Sequence, residues 1–142
     1  MKRFILFFTF LASSSFVLAQ ITVTEIKKEN DPNKIYSKVD VETAFPGGDS
    51  AWRIFLRKNL KPQVPVENGA KAGTYKVNVR FIVSKDGSLS DIYCIEDPGF
   101  GTCEEAIRVI KKTKIWIPAL VNKNKVNAYR TQSFTFIVEK EF

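Results

Sequence analysis

The sequence has no histidine among its 142 residues and only two cysteines. Without imidazole there is no Ser-His-Asp or Cys-His nucleophile, no histidine ligand for zinc and no histidine proton shuttle. Two thiols fall short of the four that an all-cysteine zinc site needs. Acid–base chemistry would have to rest on carboxylates, lysines or tyrosines, and no carboxylate pair has suitable spacing. Glu104 and Glu105 are adjacent at a predicted helix start, where neighbouring side chains point apart. Glycine is sparse too, with seven residues, and Gly99-Phe100-Gly101 lacks the third glycine of a dinucleotide-binding loop. The expectation is a protein that is not an enzyme and needs no metal or cofactor. What is present is ordinary: 44% hydrophobic and 26% charged residues, in a length that fits one globular domain.

The N-terminus reads as an address. Lys2 and Arg3 precede an apolar run from Phe4 to Ala12, three serines follow, and Val17-Leu18-Ala19 supplies a small-residue exit. This is the three-part pattern of a secretory signal peptide, with cleavage expected after Ala19. Residues 1–19 are assigned to the signal, 20–44 to an N-terminal extension and 45–142 to the folded domain. An uncleaved leader would instead tether the protein to the inner membrane, and membrane contact is expected only in that case. The net charge of +7 comes from scattered lysines rather than a basic stripe, and an exported chain does not meet nucleic acid.

Along the remaining chain, Ile21 to Ile26 alternates, Asn30-Asp31-Pro32-Asn33 breaks the run, and Ile35 to Val41 suits an edge strand. Phe45-Pro46-Gly47-Gly48 is a turn. A helix is expected after it, capped by Asp49 or Ser50, with Trp52, Phe55, Leu56 and Leu60 on one face. Residues 63–73 read as irregular loop. Tyr75 to Val83 is the clearest strand, with odd positions apolar, and Lys85-Asp86-Gly87 is hairpin-turn chemistry leading to a return strand from Leu89 to Ile95. Thr102 and Glu105 match a capping box, opening a helix with Ala106, Ile107, Val109 and Ile110 inward. Asn122-Lys123-Asn124-Lys125 is a polar turn, and the last strand runs from Tyr129 to Lys140. Trp52 reads as core; Trp116 suits core or a surface anchor, with its area favouring core. This order predicts an α+β fold: two helices packed on a small antiparallel sheet of three strands, or four with the leading strand.

For Cys94 and Cys103 three readings stay open: a structural disulfide, two buried free thiols, or a redox pair. A small sheet also has edges with unpaired backbone groups, and such an edge accepts a strand from a partner.

Several stretches together resemble the TonB C-terminal domain family. The hairpin Gly73 to Ser88 is similar to that family's central hairpin, and Glu105 to Ile110 followed by Trp116-Ile117-Pro118-Ala119 is similar to its helix and exit. Phe45-Pro46-Gly47-Gly48, Val64 to Ala70 and Val126 to Gln132 resemble a Bacteroidetes branch of the family, and the match covers about residues 35–138. The resemblance implies two helices on a three-stranded antiparallel sheet, in the periplasm of a Gram-negative envelope. It implies a protein partner, an outer-membrane TonB-dependent transporter or another envelope protein, gripped through an extended peptide. The implied edge is Tyr129, Arg130, Thr131, Gln132, Ser133, Phe134, Thr135 and Phe136, with Val64 and Pro65 in a loop near the peptide. A proline-rich spacer is missing between leader and domain, so the expectation is a binding domain linked to transport rather than a transducer. Self-association through the same edge, giving a homodimer, is the alternative from another class.

Overall fold

The structure, a computed structural model, describes residues 31–140. The signal reading of residues 1–19 and the alternating run from Ile21 to Ile26 lie outside the described residues. Residues 31–34 belong to a different compact unit from the chain after them. They form a turn in which Asp31 accepts hydrogen bonds from the Asn33 amide at 2.9 Å and, through its carbonyl, from the Lys34 amide at 3.0 Å.

From Ile35 the elements run β1 (Ile35–Tyr36), α1 (Gly48–Asn59), α2 (Val64–Glu67), β2 (Gly73–Val83), β3 (Leu89–Glu96), α3 (Thr102–Lys112), β4 (Ala119–Val121) and β5 (Asn124–Val138). The α+β class is as expected. The sheet is not purely antiparallel: its order is β1-β5-β2-β3, with β4 also paired to β5, and β1 runs parallel to β5. The leading strand shrinks to two residues, and Val41 and Ala44 make only isolated bridges to Leu120 and Ile117. The last strand starts earlier than expected because Asn122 and Lys123, both at positive φ, make a two-residue hairpin turn joining β4 to β5.

The core lies between one face of β2 and β5 and the two long helices. Alternation along β2 buries Val77, Val79, Phe81 and Val83, and β5 adds Phe134 and Phe136. Helix α3 contributes Ala106, Val109 and Ile110, while Trp52 of α1 and Trp116 complete the cluster with Phe45 packed against both indoles. Leu89, Ile92 and Cys94 line its β3 side, and Tyr93 is exposed, as the alternation predicts.

The helix starts correct the capping expectations. Neither Asp49 nor Ser50 caps α1, because Gly47 takes the N-cap position in the left-handed region with no side-chain bond. Gly101 does the same for α3, so Thr102 and Glu105 form no capping box. Thr102 donates its hydroxyl to the Gly99 carbonyl at 2.6 Å. Residues 64–67 are not loop but the one-turn helix α2, with Pro65 in its first turn, where no helical N–H is needed.

Glu105 instead points inward, with 5% exposure, and joins the two long helices. Its Oε1 accepts the Lys61 amide at 2.8 Å, just past the end of α1, and Arg108 holds both carboxylate oxygens at 2.6–2.7 Å. Arg108 also donates to the Asn59 carbonyl at 2.6 Å, a group that the end of α1 leaves without a helical partner. Burial raises the Glu105 pKa, but the Arg108 and Lys61 hydrogen bonds and charges outweigh it and hold the carboxyl below its ordinary value of 4.5. The sign follows from linkage: a depressed native pKa stabilises above the unfolded pKa and is lost as pH falls through the native one. Acid titration of wild type and Glu105→Gln should therefore show the wild type losing stability below about pH 4.5 more steeply than the variant; equal slopes would remove Glu105 from the acid response.

Cys94 of β3 and Cys103 of α3 are joined by a disulfide, with Cα atoms 6.2 Å apart, so neither is a free thiol in this structure. The bridge closes a short loop, nine residues in separation, for which chain entropy gives about 2.5–3 kcal/mol. A thermal melt with and without a thiol reductant should show a loss of that size; coincident melts would show that the loop is held without it.

Candidate functional site

β5 is the longest strand, and its two sides differ. From Ala128 to Val138 one side pairs antiparallel with β2 in an unbroken register, Val83 opposite Ala128 and Gly73 opposite Val138. On the other side β1 reaches only Asn127 and Ala128, and β4 pairs with Asn124 to Val126, before this stretch begins. Among the described residues, no strand lies on the second side of Tyr129 to Val138. The expected edge, Tyr129 to Phe136, is thus an interior strand by order that stays open along one side.

The faces of this strand alternate cleanly. Thr131, Ser133, Thr135 and Ile137 are exposed, and Phe134, Phe136 and Val138 are buried in the core. Tyr129 lies under the Arg80 guanidinium, 4.2 Å from Cζ to ring centroid. Ser133 donates to Asn78 Oδ1 at 2.5 Å, and Asn78 donates to Glu96, so one polar row crosses β5, β2 and β3. Between Tyr129 and Val138 there is no proline and a single charge, Arg130. Those are the features that usually protect an open strand from pairing.

The other open strand, β3, is different. Two register shifts interrupt its pairing with β2, one around Ile95 and one around Asp91 and Ile92. Asp91 sits at positive φ, so the strand is bulged there. A bulged edge presents an irregular row of donors and acceptors, which opposes strand addition.

The helix-side flank of the open stretch holds a cleft of about 350 Å³. Arg130 and Gln132 line it from β5, Thr43 and Phe45 from the segment before α1, and Trp52 and Trp116 from the core. Arg130 lies over the Trp116 ring at 5.9 Å, donating through Nη1 to the Thr43 carbonyl at 3.3 Å and through Nη2 to Gln132 Oε1 at 3.4 Å. Its Nε is buried without a partner, and so is the hydroxyl of Thr43, a residue 2% exposed. Asp49 and Glu42, both exposed, also line the cleft.

Of the other residues named from the sequence, Val64 and Pro65 lie in α2, which touches both α3 and β5, and Pro65 is fully buried. Pro65 is therefore a packing residue. Thr43 escaped the sequence reading, because it belongs to the stretch assigned to an extension and carries no periodic signal. Among the described residues there is no group of three or more potential metal ligands, and no helix is long and apolar enough to cross a membrane. Comparison with family models, with characterised proteins and with solved structures returns no match to this chain.

Proposed function

We propose that this chain is an exported protein-binding domain of the TonB C-terminal type. It takes an extended peptide of an outer-membrane transporter, or of another envelope protein, as an added strand on the open side of β5, in TonB-dependent transport. The observation that carries this reading is the contrast between β5 and β3: β5 is regular and unprotected from Tyr129 to Val138, whereas β3 is bulged twice. Strand addition draws affinity from backbone hydrogen bonds, so an unbroken row of donors and acceptors is the requirement that β5 meets. The disulfide supports an oxidising compartment, in line with the signal-like leader.

The test is an amide-resolved NMR titration of the protein with a peptide from the plug segment of a TonB-dependent transporter. Shifts at Thr131, Ser133 and Thr135 are expected. No shifts up to millimolar peptide, or shifts confined to β3, would overturn the reading.

A further inference from the structure

Resting on that reading, we infer that the cleft beside Arg130 is a side-chain subsite of the β5 edge. It takes one residue of the added strand, of a definite class: an uncharged side chain that presents an oxygen, such as an amide or hydroxyl.

The position follows from strand geometry. An added strand places alternate side chains on the helix-side face, the face that carries Arg130 and Gln132. A side chain set opposite them enters the cleft. Its volume of about 350 Å³ is roughly ten times a water's share of liquid volume, so a side chain as large as glutamine fits.

The class follows from what the cleft leaves unpaired. Both Nη atoms of Arg130 are engaged, by Thr43 and Gln132, while Nε has no acceptor. The Thr43 hydroxyl has none either, although the Thr43 carbonyl touches the same guanidinium. Two neighbouring buried donors without acceptors call for an oxygen, because buried polar groups are normally paired. The sign of charge follows from the cleft lining. Asp49 and Glu42 disfavour a carboxylate there, and the fixed Arg130 cation disfavours a lysine or arginine. A neutral oxygen acceptor answers the donors and meets neither repulsion.

The experiment is a positional scan with N-acetylated, C-amidated heptapeptides on an alternating valine–alanine background, which offers no side-chain oxygen of its own. Each position in turn carries alanine, serine, glutamine, glutamate or lysine, and binding is measured by titration against the full protein with β5 amide shifts as the reporter of place. One position should favour glutamine or serine over alanine by about tenfold, the worth of one paired hydrogen bond. Glutamate and lysine should both be weaker than glutamine there, and the adjacent positions should show no such preference.

Thr43→Val replaces an unpaired hydroxyl by a methyl of the same shape. It should leave the thermal midpoint unchanged or raised and weaken the preference, which Arg130 Nε then sustains alone. Three outcomes overturn the inference. Peptides that shift β5 amides with equal affinity at every position would remove the subsite and leave the edge. A preference undiminished in Thr43→Val, or a midpoint that drops in that variant, would show that the hydroxyl serves something else. The absence of any β5 shift would remove the edge reading, and the subsite with it.

Discussion

Trp116→Ala is expected to be the most damaging single change among the described core positions, costing about 3–5 kcal/mol. Trp116 is 1% exposed, and its ring lies 5.1 Å from Phe81, 5.7 Å from Trp52 and 5.8 Å from Phe45, centroid to centroid. Its Nε1 donates to the Thr113 hydroxyl at 2.9 Å, and that hydroxyl donates to the Ile110 carbonyl at 2.6 Å, at the end of α3. Truncation opens a cavity among three rings from different parts of the chain and strips the Thr113 hydroxyl of its donor. For a domain of this size each kcal/mol is worth roughly 4 °C, so the thermal midpoint should fall by about 12–20 °C. Trp116→Phe keeps the ring contacts and loses the indole N–H, and about 1–2 kcal/mol is expected. Circular dichroism melts of the two variants check this, and an alanine variant that melts with the wild type would show that the aromatic cluster carries little of the fold.

Gly87→Ala should cost about 2–5 kcal/mol, combining left-handed strain with a backbone clash. Gly87 has φ +88, in the β2–β3 turn, and a Cβ placed there clashes with the Trp116 carbonyl oxygen and meets Ile115 Cγ2 at 2.7 Å. The Trp116 amide donates to the Gly87 carbonyl at 2.9 Å, so the methyl must push apart two backbone segments that are also hydrogen-bonded. Gly99 provides the control. Its φ is +87, but nothing lies within 4 Å of a Cβ there, so Gly99→Ala carries only the strain, about 1–2 kcal/mol. Chemical denaturation of both variants separates the two contributions. Equal losses would show that the β2–β3 turn and the chain at Trp116 can move apart freely.

Both positions mark how far the sequence could be read. The turn glycine was legible, because Lys85-Asp86-Gly87 between alternating runs demands a residue tolerant of positive φ. That the same glycine is the floor on which the Trp116 backbone rests was not legible, since the contact joins residues far apart in the chain. Helix α1 was legible from Trp52, Phe55, Leu56 and Leu60, and its cap was not. Asp49 and Ser50 have the right chemistry, but Gly47 in the left-handed region takes the position. Glu105 misled in a similar way: its spacing from Thr102 is that of a capping box, yet burial between the helices makes it the partner of Lys61 and Arg108.

The candidate site divides along the same line. The alternation of Tyr129 to Val138, with its alternate aromatics turned inward, is a property of the residues themselves, because side chains of a strand alternate whatever its neighbours. The α+β class, the two long helices and the central hairpin follow from such local periodicities, as does the lack of imidazole chemistry from composition. Strand order, the two-residue parallel pairing of β1, the bulges that blunt β3 and the junction of Cys94 with Cys103 were decided only in three dimensions. So was the cleft, which needs Thr43 and Arg130, 87 residues apart, to meet. Periodicity encodes which face of an element avoids water; which elements then become neighbours depends on long-range packing, and no short stretch of chain contains that information.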